Sequence, residues 1–240
     1  MGRPDSRLLF AAGVATAVAL ALLTWRGVGA GDDGLAFLAW NVLLAWAPLA
    51  VLLPAARIRG TAPRSVVLLA WLALFPNTLY PVTDFIHLRG GPLASQRFDL
   101  ALLATVAVTA VLLTGANLMI VRRTLRAAHG ARVCAWAMRT VVVLTGVGIY
   151  IGRILQWNSW DLVVRPLTRV QELLLHLADP RAVAEAVVMS MTAALTVWLI
   201  DCAVRRGVGQ PRSSGDAWGV QGSSPQSRPP PDQRRPRSTA

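Results

Sequence analysis

The sequence predicts an all-α fold: a polytopic transmembrane bundle of about six helices, with both termini on the cytoplasmic side. Three observations carry that expectation. The first is composition, since 54% of the 240 residues are hydrophobic and 15% charged, with a mean hydropathy of +0.49. Soluble chains carry about a quarter charged residues. The second is a set of six apolar runs, at 8–25, 35–53, 66–82, 100–121, 140–155 and 183–204. A transmembrane helix needs roughly 20 such residues to cross about 30 Å of hydrocarbon, and strands are disfavoured because unpaired edges cannot be hydrated in lipid. The third is the placement of arginine, which concentrates on the cytoplasmic side of membrane proteins. With the N-terminus inside, thirteen arginines fall on inner segments and seven on outer ones.

The first run is preceded by Arg3 and Arg7 and followed by Val28-Gly29-Ala30, an arrangement shared with secretory signals. It exceeds the usual 7–15 or so apolar residues of a signal, which favours a retained helix. Each later run is apolar on every side, as expected of a helix surrounded by lipid or other helices. Between the last two runs, 166–178 places Leu167, Val170, Leu174 and Leu177 on one stripe and Arg169, Gln171, Glu172 and His176 elsewhere. That pattern predicts an amphipathic helix on the outer interface, with His176 solvated.

The transmembrane domain is expected over 1–206 and a separate tail over 207–240. The tail is rich in Gly, Ser and Pro, with Arg228, Arg234, Arg235 and Arg237, and should be disordered. Its basic side chains suit contact with anionic membrane lipid, so the expected partners are lipids. Nucleic acid is not expected, because apart from Trp218 no aromatic side chain is interleaved with these arginines.

All 24 basic residues are arginine, against 12 acidic ones, for a net charge of +12. Without lysine there is neither a Walker-type phosphate loop nor a Schiff-base site. Two cysteines and three histidines exclude a four-thiolate zinc site and an all-cysteine iron–sulfur cluster. No metal site is expected, and nothing in the sequence names a cofactor. Cys134 and Cys202, at inner ends of runs, should be free thiols.

Most of the unusual residues fall at the outer ends of two runs. The first segment is Phe75-Pro76-Asn77-Thr78-Leu79-Tyr80-Pro81-Val82-Thr83-Asp84-Phe85-Ile86-His87-Leu88. Its prolines must kink or break the helix and free carbonyls. Asn77, Tyr80, Asp84 and His87 follow at steps of three and four, one face of a helix. Asp84 and His87 are either a bonded or cation-holding pair, or a helix cap beside a surface histidine.

The second segment is Gly148-Ile149-Tyr150-Ile151-Gly152-Arg153-Ile154-Leu155-Gln156-Trp157-Asn158-Ser159-Trp160-Asp161. Gly148 and Gly152 make a GxxxG, a close-packing feature, and Tyr150, Arg153 and Trp157 share a face. Arg153 lies about a turn inside its run, where it must either snorkel past an interfacial belt of Trp157 and Trp160 or pair with Asp84 or Asp161. Trp40 and Asn41 add an amide near the outer end of the second run. The candidate polar site is therefore Asn41, Asn77, Tyr80, Asp84, His87, Tyr150, Arg153, Trp157, Asn158 and Asp161. Elsewhere, Arg181 with Glu185 and Asp201 with Arg205 have the spacing of ion pairs within one helix.

Trp40-Asn41 and these two long motifs resemble the bacterial integral membrane family catalogued as domain of unknown function 1361, over roughly residues 8–204. The resemblance implies a multi-pass protein of the bacterial inner membrane and assigns no activity. Three functions fit the residues: a structural clamp of unassigned activity, a transporter or binding component for a small molecule or lipid headgroup, and an intramembrane enzyme acting on an anionic lipid. The first ranks highest, because the six runs show no inverted repeat of the kind that marks transporters and a cluster with so few titratable groups offers an enzyme little chemistry.

Overall fold

The computed structural model describes residues 3–30, 35–54, 58, 60–88, 93–157 and 164–209. They belong to one unit of the chain, Met1–Gly209. Nearly all of the expected tail, from Gln210 onward, lies outside the described residues. The elements are α1 (Arg3–Ala30), α2 (Phe37–Leu52), α3 (Thr61–Leu74), a 3-10 segment (Phe75–Leu79), α4 (Tyr80–Thr83), a second 3-10 segment (Asp84–His87), α5 (Leu93–Arg153), α6 (Pro166–Leu177) and α7 (Pro180–Gly209). No strand occurs among the described residues.

Four stretches are long and apolar enough to cross a membrane: Ser6–Val28, Ala62–Thr83, Ser95–Arg153 and Pro180–Arg206. Phe37–Leu52 is apolar but shorter. At 1.5 Å per residue, its 16 residues reach about 24 Å.

The two runs expected at 100–121 and 140–155 both lie within α5, which does not continue straight. Gly130 departs from helical geometry with φ 79° and ψ 176°, a conformation open to a residue without a Cβ. The Cys134 thiol comes to 3.5 Å from the Arg122 carbonyl, whereas 12 residues of continuous helix would separate them by about 18 Å. The helix therefore doubles back into two arms, 93–129 and 131–153. Both arms feed the main core, where Leu118 and Val121 from the first meet Met138 and Val141 from the second, together with Trp71 and Val197. A second cluster joins Ala19 of α1 and Leu38 of α2 to Leu102 and Val106.

Much of the outside of this bundle is apolar as well. Val66, Leu69, Val108, Val143, Val188, Met191 and Leu199 are all exposed. So large an apolar exterior is suited to lipid rather than water.

Polar groups within the bundle pair across helices. Trp71 Nε1 donates to Asn117 Oδ1 at 2.9 Å, and the fully buried Asn117 donates in turn to the Leu113 carbonyl at 2.8 Å. Thr114 Oγ1 donates to Thr78 Oγ1 at 3.0 Å. Arg26 holds Asp99 at 2.7 Å, which ties the end of α1 to the start of α5. At the opposite end of the bundle Arg122 pairs with Asp201 of α7. Asp201 also reaches Arg205 at 3.2 Å, so the spacing of four captured only half of its environment. Among the described residues Arg181 and Glu185 form no ion pair. Instead, Asp179 Oδ1 accepts the Arg181 backbone N–H at 2.9 Å and caps α7.

Candidate functional site

The site is built where α3 loses its regular hydrogen bonding. Pro76 and Pro81 lack the N–H that would continue an α-helix, and the chain tightens into 3-10 turns. The Tyr80 N–H bonds to the Asn77 carbonyl, and the Asp84 N–H to the Pro81 carbonyl. In an α-helix the Asp84 N–H would have taken the Tyr80 carbonyl. Left without it, that oxygen accepts Thr83 Oγ1 at 2.8 Å and Arg153 Nη2 at 2.6 Å.

The same Arg153 Nη2 donates to Asp84 Oδ1, and its guanidinium carbon lies 5.2 Å from the centre of the Tyr80 ring. Asn41 Nδ2 of α2 donates to Asp84 Oδ2 at 2.8 Å. Asp84 is fully buried, with one donor on each oxygen, while the Arg153 side chain is 19% exposed. A carboxylate buried alone would cost several kcal/mol. Here one carboxylate joins three elements: α2, the tail of α3 and the second arm of α5.

Close packing brings Arg153 within reach. A Cβ on Gly152 would lie 1.7 Å from the Tyr80 hydroxyl oxygen, and one on Gly148 would lie 2.5 Å from Pro76 Cγ. The GxxxG face of α5 thus lies directly on the broken tail of α3.

Beyond Arg153 the chain turns through Gln156, whose φ of 54° is left-handed, and the Trp157 N–H returns to the Ile151 carbonyl at 3.3 Å. This turn buries Trp157 to 7% exposure. The belt position expected for Trp157 is therefore corrected: its ring is covered by Arg169 of α6, 5.6 Å away. His176, expected in solvent, faces the Tyr150 ring at a centroid distance of 6.0 Å. The Tyr150 hydroxyl is buried with no hydrogen-bond partner among the described residues. Helix α6 therefore lies on this end of the bundle through Arg169 and His176, while Leu167, Val170, Leu174 and Leu175 remain exposed.

Of the expected residues, Asn41, Tyr80, Asp84 and Arg153 come together, and Tyr150 and Trp157 flank them under α6. Asn77 makes no side-chain hydrogen bond among the described residues and stands apart from the cluster. Asn158, Asp161 and the His87 side chain lie outside the described residues, as does the Trp160 of the expected belt. No group of three His, Cys, Asp or Glu suited to a metal occurs among the described residues. Sequence reasoning missed the Arg26–Asp99 pair, although Arg26 directly follows one apolar run and Asp99 directly precedes another. It also missed Asn117, the one amide inside the run at 100–121.

Long apolar helices, a lipid-like exterior and charges neutralised inside define the class: this is a helical membrane protein. The chain belongs to the family described as Protein of unknown function (DUF1361), which it matches over residues 40–200. The match begins at Trp40, so α1 lies outside it, whereas the motif resemblance was placed from residue 8. No curated protein and no solved structure matches the chain.

Proposed function

We propose that this is a multi-pass protein of the bacterial cell membrane whose outer polar cluster is a clamp that holds three helices in register. The observation that carries the clamp is Asp84, fully buried with Arg153 and Asn41 each bonded to one of its oxygens. The neighbouring cavity is lined by Leu79, Val82, Thr83, Ile149 and Ile154, and not by Asp84, Arg153 or Asn41. Replacing Asn41 with leucine removes one hydrogen bond to a charged group and should cost about 1 kcal/mol, since such bonds within membranes are individually modest. Thermal unfolding of the purified chain measures this, and an unchanged midpoint would count against the clamp.

Six crossings with both termini inside are supported by the reversal at Gly130, which makes each arm of α5 a crossing of its own. The second arm, 131–153, extends about 35 Å, and α2 supplies the short crossing. Arginines 122, 123, 126, 132 and 139 surround that reversal and belong on the cytoplasmic side, from which the basic tail would meet anionic lipid. Single cysteines in a chain lacking Cys134 and Cys202 test this arrangement. Arg132→Cys should react with an impermeant maleimide only from the cytoplasm, and Gln156→Cys only from outside. Labelling of both from one side would overturn the topology.

A further inference from the structure

Beside the clamp, between the tail of α3, the end of α5 and the first half of α7, runs an apolar cleft of about 610 Å³. Its volume lies within the roughly 300–1,000 Å³ of small-molecule sites. Its walls include Leu79, Val82, Ile149, Val188, Met189 and Ala193. Three threonines also line it, with their hydroxyls already committed to backbone carbonyls: Thr83 to Tyr80, Thr192 to Val188 and Thr196 to Thr192. The exception is Glu185, whose carboxylate lies near the Tyr150 hydroxyl. It is exposed and makes no hydrogen bond or ion pair among the described residues.

The contributions of α7 run from Ala184 to Thr196, about 18 Å along the helix axis. That is close to the thickness of one leaflet, half of the roughly 30 Å hydrocarbon core. Along it the wall passes from the Glu185 carboxylate near the start of α7 to Thr192, Ala193 and Thr196, with both threonine hydroxyls bonded within the helix. Val187, Val188 and Met191 on the same helix are exposed, so the cleft is flanked by surface that faces lipid.

We infer that this cleft is a phospholipid site: one acyl chain lies along α7, and an amine-bearing headgroup meets the Glu185 carboxylate. The length of the cleft, its apolar walls and its single acid, which has no cationic partner among the described residues, each match a part of that ligand. The inference rests on the membrane placement proposed above and not on the clamp.

The test is native mass spectrometry of the full chain released from nanodiscs that hold equal phosphatidylethanolamine and phosphatidylglycerol. The wild type should retain one lipid per chain, with ethanolamine favoured about threefold, the scale of an exposed charge pair. Glu185→Gln should keep the lipid and lose the preference. Val188→Trp, or Thr192→Trp if the first variant folds poorly, should fill the cleft and abolish retention. Equal retention of both headgroups by the wild type, or unchanged retention by a folded tryptophan variant, would overturn the proposal. A failed clamp would register separately, as unchanged melting of the Asp84 and Asn41 variants.

Discussion

Replacing Asp84 with alanine should lower the unfolding temperature of the purified chain by about 6–12 °C. Removing one partner of a buried ion pair strands the other, at about 3–5 kcal/mol. The lower end applies, because the Arg153 side chain keeps 19% exposure and can turn toward the membrane surface. At roughly 2–4 °C per kcal/mol for chains of this size, about 3 kcal/mol gives that range. The informative variant is the double one. Asp84→Ala with Arg153→Met removes both charges, and well-packed apolar replacements of buried pairs are often neutral. It should recover most of the loss and end within about 1 kcal/mol of the wild type. If the two single losses simply add, the residues are not acting as a pair and the clamp reading fails.

The rescue also separates a clamp from a ligand site. A clamp that has lost both charges can still hold its helices by packing, because Gly148 and Gly152 already bring α5 onto Pro76 and Tyr80. A site that must present a carboxylate to a substrate would regain stability in the double variant without regaining function. A deletion strain complemented with each variant therefore reports on function while the melting curve reports on folding.

The membrane class was legible in the sequence because hydrocarbon imposes a demand visible in composition: every crossing must be long and apolar. The importance of Arg153 and Asp84 was legible for the same reason, since a charge inside an apolar run must find a partner. What spacing could not supply was which partner. Snorkelling and pairing with Asp84 or Asp161 all stood open for Arg153, and its bond to Asp84 comes with a second one to the Tyr80 carbonyl at the 3-10 turns, a detail of backbone geometry. Asn77 illustrates the reverse failure. Its steps of three and four to Tyr80 and Asp84 assume α-helical rotation, and the prolines that made the segment noticeable also replaced that rotation with 3-10 turns. The burial of Trp157 follows a left-handed residue, Gln156, which carries no sequence signal of the kind glycine gives, and the place of His176 beside Tyr150 is a tertiary contact that spacing within its own helix could not supply.

The second large effect concerns a glycine outside the recognised motif, Gly146, where alanine should be destabilising although alanine is the better helix former. A Cβ at Gly146 would lie 2.4 Å from the Ser190 carbonyl oxygen and 3.1 Å from its carbon. Those atoms are backbone of α7, so no side-chain rotation relieves the clash and the two helices must separate by close to 1 Å. Such overpacking costs about 1–3 kcal/mol; the upper half of that range, about 2–3 kcal/mol, applies against backbone and exceeds the gain of up to about 1 kcal/mol from helix propensity. A net loss of about 1–2 kcal/mol should lower the unfolding temperature by about 2–8 °C. Gly115 provides the control on the other arm of α5, facing the same helix. Its Cβ would sit 3.5 Å from Val204 Cγ2, an ordinary contact, so Gly115→Ala should keep the propensity gain and raise the midpoint by up to about 4 °C. The two substitutions are chemically identical and lie on arms that pack on α7 in one fold, so opposite signs would isolate backbone approach as the cause. A Gly146→Ala chain as stable as Gly115→Ala would mean that the approach of α5 to the Ser190 backbone does not limit stability.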